Sequence, residues 1–306
     1  MFLDADTLGD DLDLSELLTY SCQLWPMSNE TNVIERCQNA DFIITNKVVI
    51  NAETMSKLPK LKLICVAATG MNNVDLVAAK KRNIQVKNVT NYAGSSIAQL
   101  TFSLISELLC HTNYYVNLVQ QGKWSQSPHF CVLDRPIVEL SGKKIALVGY
   151  GALAQSVEKI AQAYDMQVLI CERKNATTIR HGRVSFEEAL SSADIFSVHC
   201  PLSAETQDLI GVNEFKAMKN TAVIINTARG GIVNEEQLLT ALSQQEIAGA
   251  ATDVLTQEPP HPDHIMLAAK ANNLIITPHI AWATKEARQR LLNKVLVNVQ
   301  QTFATN

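Results

Sequence analysis

The chain has 306 residues, of which 47% are hydrophobic and 18% charged, and its formal net charge is -4. This length is sufficient for a large core and indicates two domains of ordinary size. The small net charge gives no reason to expect nucleic acid or an anionic membrane as a partner. The N-terminus, MFLDADTLGDDLD, lacks the basic and apolar regions of a secretory signal. No apolar stretch approaches the roughly 20 residues that a membrane helix needs.

The cysteines are widely scattered and include no C-x-x-C pair. This pattern indicates reduced thiols and not a disulfide framework or a zinc site. We therefore expect a cytoplasmic protein without a metal centre. The seven positions are Cys22, Cys37, Cys65, Cys110, Cys131, Cys171 and Cys200.

The first hundred residues alternate short apolar runs with stretches of helical spacing. The runs FIIT, LKLICVAA and IQVKNV are predicted strands, and VDLVAAKKRN is a predicted helix. This alternation predicts parallel α/β construction. Residues 96–119 are then predicted to form one long helix, apolar on several faces and packed between domains or subunits. Residues 121–139 are predicted to form an irregular arm.

A second series of strands begins after Gly142, and the sequence predicts six of them. Six strands with intervening helices indicate a dinucleotide-binding doubly wound sheet. The C-terminal segment ATKEARQRLLNKVLVNVQQTFA is a predicted amphipathic helix that returns to the first domain. The six runs are KKIALVGYG, MQVLICE, DIFSVHC, TAVIINTA, IAGAATDVL and LIITPHI.

The expected fold is therefore α/β, with two doubly wound parallel-sheet domains. A Rossmann nucleotide-binding domain at 97–280 is inserted in a flavodoxin-like substrate domain, which comprises 1–96 and the C-terminal helix at 281–306.

The segment GYGALA follows the first strand of the second series and opens a helix. Gly149 permits a tight turn, Gly151 lets the backbone approach a pyrophosphate, and the small Ala154 permits close packing of helix on strand. Backbone N–H groups at the start of that helix would hold anionic phosphates. Glycines also serve ordinary turns, but the position of this pair between strand and helix favours dinucleotide binding.

Glu172 ends the next strand at the distance expected of a ribose-binding carboxylate. It could accept hydrogen bonds from both hydroxyls of the adenosine ribose, and its charge would repel a 2′-phosphate. Arg173 and Lys174 could instead attract that phosphate, although a solvated loop is the favoured interpretation of both. The sequence thus predicts NAD and leaves NADP open.

Arg229, Glu258 and His279 each lie just beyond a predicted strand, at the sheet edge where ligands bind. Reduction of a 2-keto acid requires hydride addition to the carbonyl carbon and a proton on its oxygen. His279 can donate that proton, Glu258 can orient the ring and stabilise its charged form, and Arg229 can grip a carboxylate. Each residue taken singly also has a structural explanation: an ion-pair partner for Arg229, a turn cap for Glu258, a buried histidine for His279. Their joint placement favours catalysis.

These residues and their surroundings resemble the D-isomer-specific 2-hydroxyacid dehydrogenases over nearly the whole chain. The resemblance is carried by VGYGALA, HCPLSAETQDLIG, MKNTAVIINTARGGIVNEEQLLTAL, AATDVLTQEPP and NLIITPHIAW. It implies that Arg229 binds substrate, that His279 is the acid/base and that Glu258 is its partner. Within the family, AATGMNNVDL and SPHFCVLDRPIVEL look most like glycerate dehydrogenase/hydroxypyruvate reductase members.

The resemblance also implies the remaining site residues. Backbone amides of Thr69, Gly70 and Met71 are expected to hold the substrate carboxylate opposite Arg229, and Asp253 is expected to meet the nicotinamide carboxamide. Glu172 stands where an aspartate is common in NAD-specific members. The expected cofactor contacts are Gly149, Tyr150, Gly151, Ala152, Leu153, Glu172, Arg173, Cys200, Pro201, Thr206, Thr227, Ala228, Arg229, Asp253 and His279.

The sequence therefore predicts an NAD-dependent reductase of a small 2-keto acid, hydroxypyruvate or glyoxylate first, that forms a homodimer. One alternative is a non-catalytic NAD-sensing interaction module of the same fold, against which the intact set of Arg229, Glu258 and His279 argues. Another is a formate dehydrogenase-like enzyme. Those members carry glutamine where this chain has Glu258.

Overall fold

A computed structural model describes residues 1–269 and 271–303 of the chain. The chain forms two compact units. The N-terminal unit comprises Met1–Ala93 and the C-terminal segment that begins at Ala283, and the central unit comprises Gly94–Trp282. Within the described residues, no helix is both long and apolar enough to cross a membrane.

Helices and strands alternate along most of the chain, as the sequence predicts. A single turn of 3-10 helix covers Ala5–Leu8. The strands are β1 (Phe42–Thr45), β2 (Leu63–Val66), β3 (Gln85–Lys87), β4 (Lys144–Val148), β5 (Gln167–Ile170), β6 (Ile195–Val198), β7 (Val223–Asn226), β8 (Gly249–Thr252) and β9 (Leu274–Ile276). The helices are α1 (Ser15–Leu18), α2 (Val33–Cys37), α3 (Ala52–Ser56), α4 (Leu76–Lys81), α5 (Gly94–Cys110), α6 (Thr112–Gln120), α7 (Ala152–Ala163), α8 (Phe186–Ser192), α9 (Val212–Ala217), α10 (Glu235–Ser243), α11 (Ile265–Ala268) and α12 (Lys285–Phe303).

The N-terminal unit is built on a parallel sheet of order β1-β2-β3. Phe2 extends this sheet through single bridges to Ile44 on β1 and to Leu24. Phe2 and Leu24 can be counted as rudimentary first and second strands, with β1, β2 and β3 as the third, fourth and fifth. The strand order is then 2-1-3-4-5, which is the flavodoxin-like order. The fold predicted for this unit is therefore confirmed, with two of its strands reduced to one bridging residue each.

The central unit contains a parallel sheet of six strands in the order β5-β4-β6-β7-β8-β9. Val184 bridges Cys171 beyond the β5 edge and represents a rudimentary strand. If β4, β5 and Val184 are counted as the first three strands of this unit and β6, β7 and β8 as the next three, the order is 3-2-1-4-5-6, which is the dinucleotide-binding order, and β9 follows at the far edge. The chain order reverses where β4 meets β6. In such sheets the ligand crevice lies at the carboxyl ends of the strands at this reversal.

The middle of the sheet in the central unit is buried on both faces, because all residues of β6 and β7 are buried. Side chains of α5 and α7, such as Ile105 and Val157, lie in the cluster that covers one face. Phe186 of α8 and Phe215 of α9 lie in the cluster that covers the other. Strands buried on both faces read as continuous apolar runs, which is why the sequence shows them clearly.

The prediction of one helix over 96–119 is wrong, because α5 ends at Cys110 and α6 begins at Thr112. His111 between them has a φ of 53°, in the left-handed region that interrupts an α-helix. The carboxylate of Glu107 accepts the backbone N–H of Asn113 at 3.1 Å and so satisfies a donor of the first turn of α6. The break is thus held by a side chain of the preceding helix.

The segment after α6 is irregular, as the sequence predicts, and its conformation is fixed by side-chain contacts. Trp124 donates from Nε1 to the carbonyl of Phe130 at 2.8 Å, and Tyr114 of α6 bonds the carboxylate of Asp134. The guanidinium of Arg135 stacks over the Tyr114 ring at 3.8 Å. The segment is therefore an ordered arm.

Candidate active site

Two glycines shape the turn between β4 and α7. Gly149 has a φ of +87°, and a Cβ on it would lie 2.8 Å from the backbone nitrogen of Cys200. A side chain is thus excluded there both by conformation and by contact with the segment that follows β6. Gly151 precedes α7 and a Cβ on it would meet no atom within 4 Å, so the space above it is open. These features fit the backbone cradle that receives the pyrophosphate of a dinucleotide at a helix N-terminus.

Glu172 follows β5 and is enclosed by basic groups. Its carboxylate accepts hydrogen bonds from Nε of Arg180 at 2.6 Å and from the backbone N–H of Arg173 at 2.9 Å, while the side chain of Arg183 approaches at 3.9 Å. The hydrogen bond from the Arg180 guanidinium lowers the pKa of Glu172 to about 2. Glu172 is therefore an anion at neutral pH, and its charge is largely compensated. The side chain of Arg173 is exposed and lies 4.0 Å from Glu205.

The other predicted cofactor residues line the loops after β4, β6 and β7. The Tyr150 hydroxyl donates to Glu158 at 2.5 Å, and this bond raises the pKa of Tyr150. Burial raises the pKa of the Cys200 thiol to about 11, so the thiol is protonated at neutral pH.

The Thr206 hydroxyl donates to the carbonyl of Pro201 at 2.7 Å, which closes the loop after β6. Thr227 is buried, and Ala228 donates its N–H to Asn226 at 3.0 Å. Ala152 and Leu153 begin α7.

His279 and Glu258 form a direct pair. Nδ1 of His279 lies 2.6 Å from Oε2 of Glu258, and the other carboxylate oxygen accepts the N–H of Leu255 at 3.0 Å. Both side chains are partly accessible, at 25% for His279 and 33% for Glu258. Because the carboxylate engages Nδ1, the second ring nitrogen is the one available for proton exchange with a ligand. The structure thus supplies the imidazole–carboxylate couple of a general acid/base.

The turn that carries His279 is held by Asp253. His279 has a φ of 54°, which is uncommon for a residue with a side chain. Asp253 accepts the hydroxyl of Thr277 at 2.5 Å and the N–H groups of Ile280 and Ala281 at 2.9 and 2.7 Å. Burial raises the pKa of Asp253, and its side chain is engaged with this turn. The expected contact of Asp253 with a nicotinamide carboxamide stays a prediction.

Arg229 lies in the turn that follows β7. Asn226, Thr252 and Ile276 are paired across β7, β8 and β9, so these three strands end at one edge of the sheet. The Arg229 side chain is exposed and donates to the carbonyl of Ala228 at 2.7 Å. Asn226 fixes the turn by donating to the carbonyl of Arg229 at 2.9 Å. The guanidinium thus projects from a braced turn at the same sheet edge as His279.

The predicted substrate-binding residues of the N-terminal unit follow β2. The hydroxyl of Thr69 donates to the carbonyl of Val89 at 3.1 Å, and the Asn88 side chain donates to the carbonyl of Thr69 at 2.6 Å. Gly70 and Met71 are half-buried, and Met71 packs against the core of the unit. Thr69 is exposed at the surface of its own unit. Their contact with a substrate stays a prediction.

Two residues that shape this site were missed from the sequence. Asn226 lies inside the run VIINTARGG, where its place at the end of a buried strand could have indicated a bracing role. Arg180 lies eight residues from Glu172 in a loop without periodicity. No local pattern in the sequence predicts that pair, because it depends on how the loop folds back.

A Rossmann crevice with an imidazole–carboxylate couple and an arginine at its strand ends defines a nicotinamide-dependent oxidoreductase. Residues 102–281 match the family described as D-isomer specific 2-hydroxyacid dehydrogenase, NAD binding domain. The chain belongs to this family and is an NAD-dependent dehydrogenase of 2-hydroxyacids.

Two relatives agree with this assignment, and a solved structure has a similar fold. The chain is 42% identical to a glycerate dehydrogenase of Methylorubrum extorquens, with 89% of this chain and 85% of that protein covered. It is 36% identical to a hydroxypyruvate reductase of Blautia hydrogenotrophica, with 90% and 86% covered. The crystal structure of the TT0316 protein of Thermus thermophilus superimposes with a TM-score of 0.83 at 30% identity, covering 96% and 94% of the two chains.

Proposed function

We propose that the enzyme reduces hydroxypyruvate or glyoxylate to D-glycerate or glycolate. The observation that carries the proposal is the His279–Glu258 couple at 2.6 Å, at the sheet edge that also carries Arg229. Similarity to a glycerate dehydrogenase and a hydroxypyruvate reductase supports this choice among 2-keto acids.

His279 is the proposed proton donor. NADH, when bound in the crevice, supplies the hydride that the carbonyl carbon accepts. The imidazolium of His279 gives its proton to the carbonyl oxygen, so that one alcohol forms and the ring is left neutral. Glu258 accepts the hydrogen bond of Nδ1 and thereby keeps the ring in one orientation. In the direction of oxidation the neutral ring takes the proton back.

Arg229 is the proposed anchor of the substrate. Its planar guanidinium can bind a carboxylate through two parallel hydrogen bonds and can polarise the adjacent carbonyl. Thr69, Gly70 and Met71 are proposed as further substrate contacts on the strength of the family resemblance. NAD contacts are proposed from the turn at Gly149–Leu153, from Glu172, and from the loops after β6 and β7.

The proposed substrate class is tested by NADH oxidation with the purified protein. Hydroxypyruvate, glyoxylate, pyruvate and bulkier 2-keto acids are compared under identical conditions. We expect the highest kcat/KM with hydroxypyruvate or glyoxylate. Tight NADH binding without turnover of any of these acids would contradict the proposal and favour a sensing module.

Replacing Glu172 by glutamine is expected to reduce the preference for NADH over NADPH by about tenfold or more. The Glu172 carboxylate forms an ion pair with Arg180. Its removal frees that guanidinium and leaves Arg173 and Arg183 to attract a 2′-phosphate. The dissociation constants of both reduced cofactors are measured by fluorescence titration, with Glu187→Gln on exposed α8 surface as the control. An unchanged ratio of the two constants would show that Glu172 does not discriminate between the cofactors.

We also propose that the chain forms a homodimer through the arm. Phe130 and Leu133 are 91% and 74% exposed on a segment that its own hydrogen bonds keep ordered. A second copy of this chain is the proposed binding partner of the arm, as the family resemblance implies.

The free thiols of all seven cysteines accord with the proposed cytoplasmic location.

The double variant Phe130→Asp with Leu133→Asp is expected to be monomeric at micromolar concentration. Charged side chains at these positions would have to be desolvated in the interface. Sedimentation velocity measures the mass, and Val77→Asp, which changes an exposed apolar residue of the N-terminal unit, is the matched control. A dimeric double variant, or a monomeric wild type, would exclude the arm as the dimer contact.

A further inference from the structure

The first residue of α10, Glu235, binds the loop that leads to Glu258. Thr256 donates its backbone N–H to Oε1 of Glu235 and its hydroxyl to Oε2, each at 2.8 Å. The Glu235 side chain is 12% exposed. A nearly buried carboxylate thus accepts two hydrogen bonds from a single residue of a surface loop.

His264, at the other end of the loop, also contacts the Glu235 carboxylate. Nδ1 of His264 accepts the N–H of Met266 at 3.3 Å, so in the neutral ring the hydrogen is on Nε2. Nε2 lies 3.4 Å from Oε2 of Glu235, and the His264 side chain is only 10% exposed. Glu235 therefore joins both ends of the segment that contains Glu258.

The loop that Glu235 binds also orients Glu258. Thr256 follows Leu255, whose N–H donates to Oε1 of Glu258 at 3.0 Å. The opposite oxygen of Glu258 faces Nδ1 of His279. The backbone beside Arg229 contacts the same point, since a Cβ on Gly230 would lie 2.0 Å from the carbonyl oxygen of Leu255. A displacement of the Leu255–Thr256 peptide would therefore shift Leu255, and with it the N–H that holds the carboxylate of Glu258.

We propose that Glu235 is a positioning residue for the acid/base couple. It acts by fixing Thr256 and, through the adjacent Leu255 N–H, the orientation of the Glu258 carboxylate. This inference rests on the proposed roles of Glu258 and His279. Misplacement of a catalytic group by about 1 Å can cost on the order of 100-fold in rate, which is the scale of effect that such a brace protects against.

The variant Glu235→Ala is expected to lower kcat about 10- to 100-fold and to leave the dissociation constant of NADH unchanged. The alkaline limb of kcat/KM for reduction should move to lower pH, because a loosened Glu258 stabilises the imidazolium less. Glu235→Gln can still accept the N–H and bond the hydroxyl of Thr256, so it should restore most of the activity. Glu236→Ala, on the exposed side of α10, is the matched control.

A double-mutant cycle with Glu258→Gln tests the route of the effect. If Glu235 acts through Glu258, adding Glu235→Ala to Glu258→Gln should lower kcat less than twofold further. Thr256→Val keeps the backbone bond and removes only the hydroxyl bond, so it should give a smaller loss of kcat and guards against misfolding of the alanine variant. Unchanged kcat and pH profile in both Glu235→Ala and Thr256→Val, or multiplicative losses in the cycle, would overturn the proposal. Full activity of Glu258→Gln would instead overturn the proposed acid/base couple itself.

Discussion

Replacing His279 by alanine is expected to lower kcat for 2-keto acid reduction by about 10²- to 10⁴-fold, the range that a positioned general acid contributes. The loss should be in the chemical step, because His279 is the proposed proton donor and the Glu258 carboxylate contacts its Nδ1. NADH binding, which we assign mainly to the turn at Gly149–Leu153 and to Glu172, should change little. Steady-state assays give kcat, and fluorescence titration gives the dissociation constant of NADH.

Two further variants make the His279 result specific. His129→Ala removes an exposed imidazole from the arm and should leave kcat unchanged. Glu258→Gln keeps the size of the side chain but removes its charge, and it should lower kcat less than the loss of the ring itself. A His279→Ala enzyme with undiminished kcat would reject the assignment of this residue as the proton donor.

Replacing Arg229 by alanine is expected to lower kcat/KM for the keto acid by on the order of 100-fold or more, the cost of removing one preorganised electrostatic donor from an active site. The loss should appear in both KM and kcat, because the guanidinium is proposed to bind the carboxylate and to polarise the carbonyl. Steady-state kinetics at saturating NADH separates the two parameters.

Lysine at position 229 should recover only part of the Arg229 loss, because an ammonium cannot form two parallel hydrogen bonds to a carboxylate. Arg82→Ala, at an exposed arginine after α4, is the control for removal of a positive charge. Equal kcat/KM in wild type and Arg229→Ala would show that the arginine is a structural residue of the turn, as its bond to Ala228 alone would permit.

The strands that the sequence predicted best are those buried on both faces. The runs in β6 and β7 consist of four buried residues each, and buried parallel strands leave continuous apolar runs. The rudimentary strands at Phe2, Leu24 and Val184 contribute one bridging residue each, so no periodicity can reveal them. The break at His111 was missed for a related reason: apolar spacing continues through it, and only the left-handed backbone marks the end of the helix.

The site was predictable as far as it depends on positions at strand ends. Arg229, Glu258 and His279 follow β7, β8 and β9, and their order in the sheet follows from the doubly wound topology. The bracing contacts were not predictable, because they join residues in loops whose paths no local pattern specifies. Asp253 holding the His279 turn and Arg180 occupying Glu172 belong to this class.

The configuration of the product formed from hydroxypyruvate and NADH tests the proposed function most directly. Wild-type enzyme is incubated with both, beside His279→Ala, and the glycerate is analysed by chiral chromatography. We expect D-glycerate in an amount equal to the NADH consumed, with its formation lost in the variant. L-glycerate as the product, or equal amounts of glycerate from the variant, would contradict the proposed function.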